Sequence, residues 1–175
     1  MTYLARQSTV RRLRLTIAML MLLPLVGAGS AWGEVTEQHL EVAQSVFDRL
    51  IAVQEKPEAW EIWPPTLTVA DVDAVNAFAS HQETEEGLVP TITINRGLIE
   101  QVAQFDPDVL AFTVGHEIGH LVHQHVARHL ERLEQFGDVG AKTALVAVGR
   151  EDELEADLYG MQLALRAGFS YAGIR

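Results

Sequence analysis

The segment PDVLAFTVGHEIGHLVHQH, residues 107–125, decides the fold that this sequence predicts. Asp106 stands before it as a candidate N-cap, and Pro107 takes the first helical position, so we expect a helix to begin there. The apolar residues that follow recur at helical spacing, and Gly137 is the next candidate for a helix end. The pattern therefore predicts one long helix over residues 107–136, with a histidine cluster on its middle turns.

The motif HEIGH within this helix has the spacing of a metal-binding pair. His116 and His120 are four residues apart, so both imidazoles can face one ion from the same side of a helix. Glu117 lies beside that face, where a carboxylate can act as a general base on a water molecule. His123 is excluded from the same ion, because seven residues of helix rise about 10.5 Å. We expect His125 to be structural or to line a groove.

Two features of the segment concern its surroundings. Gly115 and Gly119 lie four apart on the adjoining face, which would allow a second helix to approach closely. The run around the histidines is apolar on nearly every side, so the imidazoles need partners. A buried pair hydrogen-bonded to backbone is the structural alternative to a metal site.

A catalytic zinc needs a third protein ligand. The spacing HExxHxxGxxH is absent, because His123 and Val126 stand where glycine and histidine are required. The segment REDELEADLYGMQLALRAG, residues 150–168, predicts a second helix that ends at Gly168. Its candidate ligands are Glu151, Asp152, Glu153, Glu155 and Asp157.

Four of these acidic residues fall into two groups. Glu151 and Asp152 are explained by a solvated, acidic helix start. Glu153 and Asp157 lie four apart on one face, so one could ligate while the other hydrogen-bonds a ligand histidine. The sequence alone leaves both assignments of this pair open.

The rest of the chain predicts a small sheet and further helices. An amphipathic helix over residues 36–55, capped by Thr36, precedes a proline-rich connector in which Trp60 and Trp63 are expected to pack onto the domain. Two strands are expected, near residues 67–79 and 90–95, with a polar loop between them that carries a solvated His81. Asn95 is a candidate cap for a short helix, and the glycine-broken stretch at 137–149 is interpreted as a connector.

The N-terminal segment, residues 1–33, has the order of an export signal. Four arginines precede an uncharged apolar stretch at 15–33 that ends in small residues. A cleaved signal peptide is the preferred interpretation, and an N-terminal anchor is the alternative. Its removal would make the formal net charge four units more negative than −11, which disfavours nucleic-acid partners.

Several motifs together resemble the HtpX-like and CAAX prenyl endopeptidase group of zinc metallopeptidases, peptidase family M48. The resemblance spans roughly residues 36–175. Its motifs are NAFA at 76–79, TITIN at 91–95, LAFTVGHEIGHLVHQH at 110–125 and REDELEADLYGMQLALRAGF at 150–169. The chain ends soon after the last motif, whereas family members usually continue, so it would be a minimal member or a fragment.

The resemblance implies a zinc-binding site and a fold. His116, His120 and Glu153 would bind one zinc ion per chain, Glu117 would activate the water, and Asp157 would support a ligand. The implied fold is an α+β, zincin-like (gluzincin) metallopeptidase domain over residues 34–175, mainly helical with a small β-sheet. The export signal resembles that of the periplasmic quality-control branch, so the protein would be periplasmic or would face the periplasm from the membrane.

The predicted activity is an endopeptidase that acts on unfolded or misassembled polypeptides, with the strand near 91–95 as an edge for substrate. The alternative is a zinc-binding chaperone or assembly factor that cleaves little or nothing. A third hypothesis is an inactive scaffold with a structural zinc, whose fourth ligand would come from His81, His123 or a downstream residue. Membrane association would come through the N-terminal segment. Candidates for oxyanion stabilisation are Tyr159, Arg166 and Tyr171.

Overall fold

The computed structural model describes residues 33–170, without the side chains of residue 126 and residues 129–148. The predicted export segment at 1–33 and Tyr171 therefore lie outside the described residues, apart from Gly33. Within the described part, helices combine with a three-stranded sheet, so the predicted α+β class is confirmed. In chain order the elements are α1 (Glu37–Ala52), β1 (Thr66–Ala70), β2 (Ala77–Thr84), β3 (Gly87–Asn95), α2 (Arg96–Leu98), a wider π-type turn (Ile99–Ala103), α3 (Pro107–Val122) and α4 (His125–Arg166).

None of the helices in the described part of the chain is both long and apolar enough to cross a bilayer.

The sheet has the strand order β1–β3–β2, with β3 in the middle. β1 pairs with β3 in parallel, with Leu67 opposite Ile92, and β2 pairs with β3 as an antiparallel hairpin, with Ala79 opposite Ile92. The prediction that the strand at 91–95 offers a free edge is therefore wrong, because both of its sides are paired. The edge next to the histidine helix belongs to β2.

The predicted strand at 67–79 is two strands, because residues 71–76 leave the sheet to bind a buried arginine. The Arg96 guanidinium donates to Asp71 at 3.0 Å and to Asp73 at 2.6 Å, and it is almost fully buried. Hydrogen bonding to Asp71 raises the pKa of Arg96 above its usual value. Gly97 lies under the same segment, where a Cβ atom would stand 2.0 Å from the Asp73 carbonyl oxygen.

The polar segment predicted as a hairpin loop belongs mostly to strands. β2 continues to Thr84, β3 starts at Gly87, and the turn between them is only two residues long. A polar sequence can form this strand because β2 is an edge strand, where the hairpin supplies the pairing and the solvent receives the side chains. His81 is therefore a strand residue, and it is exposed as expected.

The core lies between the sheet, α1 and α3. Thr36 precedes α1 as predicted, and its backbone N–H donates to His39 Nδ1 at 3.1 Å. Trp60 and Trp63 pack against the core as expected, and Trp60 Nε1 donates to the Leu121 carbonyl oxygen at 2.9 Å. The largest fully buried core side chains are Val46, Leu50, Ile92, Ile94, Ile99, Leu110, Val114, Ile118 and Leu163.

α3 begins as predicted but ends early. Asp106 accepts from the Asp108 N–H at 2.9 Å, and Pro107 takes the first position. The predicted helix over 107–136 is wrong at its far end, because the chain breaks at His123 and Gln124. Gln124 adopts a left-handed conformation with φ of +55°, which redirects the chain before α4 starts at His125.

α4 includes the predicted connector at 137–149 and the predicted second helix. It cannot be straight, because Arg128 hydrogen-bonds Asp152 at 2.9 Å, whereas 24 residues of straight helix would separate them by about 36 Å. The chain therefore reverses between these two residues. We call residues 149–166 the C-terminal arm of α4; it ends at Arg166, and Gly168 follows with φ of +80°, as the sequence predicts.

The C-terminal arm packs tightly along α3 through glycines. A Cβ atom at Gly115 would lie 2.8 Å from the Gly160 carbonyl oxygen, and one at Gly119 would lie 3.1 Å from the Ala156 Cα. A Cβ atom at Gly160 would lie 2.5 Å from the His116 backbone nitrogen. The expected close approach at Gly115 and Gly119 is therefore confirmed, with Gly160 opposite Gly115 and Ala156 opposite Gly119.

Candidate metal centre

Three side chains converge between α3 and the C-terminal arm of α4. The Nε2 atoms of His116 and His120 lie 2.9 Å apart. A carboxylate oxygen of Glu153 lies 3.3 Å from His116 Nε2, and its other oxygen lies 3.6 Å from His120 Nε2. The two histidines come from successive turns of α3, and the close glycine packing brings Glu153 opposite them.

This donor set fits a zinc ion. Tetrahedral ligands about 2.0–2.1 Å from zinc stand about 3.3 Å from one another, close to the separations of the three groups here. Two imidazoles and one carboxylate are a ligand set of catalytic zinc sites, which leave the fourth position to water or substrate. Within the described residues, the group comprises these three side chains and no fourth.

Asp157 meets the other ring nitrogen of His116, on the side away from the three converging groups. Its Oδ1 atom lies 2.8 Å from His116 Nδ1, the ring nitrogen that faces away from Glu153. A carboxylate on Nδ1 fixes the orientation of the ring and leaves Nε2 free to ligate. The structure thus separates the two acids that the sequence could not distinguish, with Glu153 beside both Nε2 atoms.

Glu117 lies next to the three converging groups and is 7% exposed. Burial raises the pKa of Glu117 above its ordinary value, while the His116 ring and a hydrogen bond from the Ala79 backbone N–H act in the opposite direction. Its carboxylate is thus partly desolvated and fixed in place by a strand. These are the properties of a group that accepts and returns a proton.

The hydrogen bond from Ala79 also shows which backbone groups of β2 face the cleft. The polar backbone groups of a strand alternate between its two sides, so an N–H that donates to Glu117 points away from β3. Ala77 and His81 direct their backbone groups to the same open side. A cleft of about 400 Å³ separates this edge from the helices. It is lined by Asn76, Ala77, Phe78, Ala79, His116, Glu117, His120 and Glu153.

A second polar cluster stands behind His120. His125 is 2% exposed; its Nδ1 lies 2.7 Å from His120 Nδ1, and its Nε2 lies 3.1 Å from Glu155 Oε2. Arg128 donates to Glu155 at 3.0 Å and to Asp152 at 2.9 Å. Burial lowers the pKa of His125, whereas hydrogen bonds from Arg128 and His125 lower the pKa of Glu155.

The contacts in this cluster show that one sequence-based assignment is wrong and disfavour a second metal site. Asp152 is 4% exposed and paired with Arg128, so the interpretation of Asp152 as a solvated helix start is wrong; Glu151 is exposed as expected. His125, Asp152 and Glu155 also have donor atoms close enough to share an ion. The Arg128 guanidinium already supplies a positive charge to both carboxylates, which opposes a second metal cation there.

The other candidates lie away from the three converging groups. His123 faces Glu155, with Nδ1 3.4 Å from Oε1, as its exclusion from the ion requires. Tyr159 Oη donates to Gln54 Oε1, and Arg166 follows Glu153 by about 20 Å of helix rise. Arg166 is therefore too far along the helix to stabilise an oxyanion beside Glu117, so that proposal is wrong, and the Tyr159 hydroxyl is engaged by Gln54.

A second cavity of about 410 Å³ adjoins the first at His120. Trp60, His81, Leu88 and Leu121 contribute to walls that are mostly apolar. The groove beside the converging histidines therefore has room for a side chain on each side of His120.

Comparison with known proteins identifies the class that this arrangement defines. The family model described as Peptidase family M48 matches residues 37–142. The match covers more than half of the chain, which therefore belongs to this family of metallopeptidases. No curated protein and no solved structure matched the chain significantly. The matched range contains His116, Glu117 and His120 but ends before Glu153 and Asp157, whose placement comes from the structure.

Sequence reasoning missed the polar cluster and Gly160. Nothing in the spacing pairs Arg128 with Asp152 across 24 residues. Gly160 carried a usable signal, since a glycine inside a strong helix indicates a close approach. The hydrogen bond from Ala79 had no sequence signal.

Proposed function

We propose that the chain is a zinc-dependent endopeptidase that hydrolyses peptide bonds in unfolded or misassembled envelope proteins. The observation that supports this most is the convergence of His116, His120 and Glu153 beside the buried carboxylate of Glu117. A structural zinc would not need that carboxylate. We further propose that the domain has a gluzincin-type fold, in which two helices face each other across the ion.

Each side chain has a defined task. His116, His120 and Glu153 would hold the ion, and zinc bound there would polarise the peptide carbonyl and acidify a water molecule. Glu117 would accept a proton from the attacking water and donate it to the leaving amine nitrogen. The Ala79 N–H keeps the Glu117 carboxylate oriented toward the cleft. Asp157 accepts from His116 Nδ1 and keeps that ring turned toward the ion.

The substrate would be an extended polypeptide that adds to the open edge of β2. Ala77 presents its N–H and carbonyl, and Ala79 its carbonyl, on the side where the cleft lies, and main-chain hydrogen bonds are the usual means by which an edge strand holds a peptide. Such contacts depend little on the side chains of the substrate, which suits unfolded polypeptides of varied sequence. The apolar cavity beside His120 would accept one substrate side chain.

We propose that the protein is exported and lies in the periplasm, or is held at the membrane and faces the periplasm. The support is the order of residues 1–33, in which basic residues precede an apolar stretch. The acidic net charge of −11 supports a polypeptide rather than a nucleic-acid partner. Within the family, we propose the periplasmic quality-control branch, because the export signal at the N-terminus resembles the one found there.

The test is to measure bound zinc and cleavage of an unfolded protein such as casein for the wild-type full chain and for Glu117→Gln. We expect about one zinc per chain in both proteins, and a cleavage rate about 10²–10⁴-fold lower in the variant, because a positioned general base contributes about that factor. Glu151→Gln is the matched control, since Glu151 is an exposed carboxylate of α4 outside the site; its rate should stay within about twofold.

Two results would count against the proposal. Cleavage that survives in Glu117→Gln with zinc still bound would remove Glu117 from its role. A wild-type chain that binds zinc but cuts no polypeptide would contradict the peptidase and would favour a protein that holds unfolded chains.

A further inference from the structure

The helix break after α3 places a histidine behind one of the two histidines of the HEIGH motif. His125 follows His120 by five residues, which on an unbroken helix would put the two side chains about 140° apart. Gln124 instead adopts φ of +55°, and His125 Nδ1 comes to 2.7 Å from His120 Nδ1. A left-handed conformation is unfavourable for a non-glycine residue, so the contacts that it creates must compensate.

The hydrogen-bond directions follow from the ring chemistry. Because His120 Nε2 faces His116 and Glu153, the lone pair for an ion is on that nitrogen and the hydrogen is on Nδ1. His120 Nδ1 therefore donates to His125 Nδ1. The hydrogen of His125 then lies on Nε2, which donates to Glu155 Oε2 at 3.1 Å.

The far end of this series of hydrogen bonds is held by further polar contacts. Glu155 Oε2 also accepts from Arg128 Nη2 at 3.0 Å, and the same guanidinium donates to the buried Asp152 at 2.9 Å. His125 itself is 2% exposed, so water cannot replace its contact with His120 without rearrangement. The row of side chains thus extends from His120 through Glu155 to Arg128, which pairs with the buried Asp152 of the C-terminal arm.

We propose that His125 is a positioning residue that sets the tautomer and the ring orientation of His120, as Asp157 does for His116. The inference depends on the proposed zinc site. In addition to that site, it assigns a function to the helix break at Gln124 and to the row of side chains formed by His125, Glu155 and Arg128. An imidazole is a neutral acceptor here, whereas His116 has a carboxylate, so the two ligand rings are supported unequally.

The test compares zinc dissociation constants, measured by competition with a chelator, for full-length wild type, His125→Leu and His125→Gln. Leucine has a similar size but no acceptor, and we expect zinc to bind about 10–100-fold more weakly, the usual result of removing the outer partner of a ligand histidine. Glutamine offers an oxygen to His120 and an amide to Glu155, so it should recover most of the affinity.

His123→Ala is the matched control, because it removes a neighbouring ring that stacks on His125 and pairs with Glu155, whereas the acceptor of His120 Nδ1 is His125. Its zinc affinity should stay within about twofold of wild type. The inference is contradicted if His125→Leu binds zinc as wild type does, if His125→Gln recovers no affinity, or if His123→Ala loses as much affinity as His125→Leu.

If His125→Leu does not fold, the comparison of His125→Gln with His125→Asn decides. The shorter asparagine amide should reach His120 less well, so His125→Asn should bind zinc more weakly than His125→Gln. Equal affinities would contradict the inference. Absence of zinc binding in wild type would instead refute the proposed function.

Discussion

Glu153 is the least protected member of the converging group, with 61% of its side chain exposed. It contributes little to the core, so its replacement should spare the fold. We predict that Glu153→Ala weakens zinc binding by more than about 100-fold, beyond the range for loss of an outer partner, because a direct ligand is lost. Chelator competition measures the affinity, and circular dichroism checks the fold.

The matched control for this prediction is Glu151→Ala, which removes an exposed carboxylate two residues away. Zinc affinity unchanged in Glu153→Ala, or equally weakened in Glu151→Ala, would show that Glu153 is not the third ligand.

At the residue scale, spacing alone brought His116, Glu117 and His120 together as candidates, because one helical turn determines their relation. It could not choose between Glu153 and Asp157, which share a face of the same helix. That choice depends on which ring nitrogen of His116 each acid meets, and therefore on the tertiary packing of two helices. Asp152 was misassigned for a similar reason, since its partner Arg128 is distant in sequence.

At the element scale, the site depends on how closely the C-terminal arm of α4 approaches α3. A Cβ atom at Gly160 would lie 2.5 Å from the His116 backbone nitrogen, so neither backbone can keep its position. We predict that Gly160→Ala lowers the free energy of unfolding by about 1–3 kcal/mol through overpacking, and weakens zinc binding as Glu153 moves from His116. Denaturant unfolding and chelator competition measure the two effects.

Gly149→Ala is the control on the same helix, and its expected effect on stability is opposite to that of Gly160→Ala. A Cβ atom there meets nothing within 4 Å, so alanine should raise the free energy of unfolding by up to about 1 kcal/mol through helix propensity and leave zinc affinity unchanged. If Gly160→Ala behaved like Gly149→Ala, the close helix contact would not be what positions Glu153.

Elements were predictable where local chemistry defines their ends. Asp106 and Pro107 start α3, and Gly168 follows the C-terminal arm, each by a rule that acts within one turn. The break at Gln124 was not predictable, because no glycine or proline marks it and its stabilising contacts come from Glu155. The division between β1 and β2 depends on the buried Arg96, whose carboxylate partners are recognised only after folding.

At the scale of the whole molecule, one small domain brings together parts that are remote in sequence. The hairpin edge supplies the Ala79 N–H, α3 supplies two histidines and Glu117, and the C-terminal arm supplies Glu153 and Asp157. The family match reaches only the first two of these parts. The fold class and the histidine helix followed from the sequence, whereas the free edge did not, because strand order is a property of the assembled sheet.

The most direct test of the account is anomalous X-ray scattering at the zinc edge from crystals of the full chain grown with zinc. The account predicts one anomalous peak per chain, about 2.0–2.2 Å from His116 Nε2, His120 Nε2 and a Glu153 oxygen, with no fourth protein ligand. A peak among His125, Asp152 and Glu155, or one closed by His81 or His123, would contradict it.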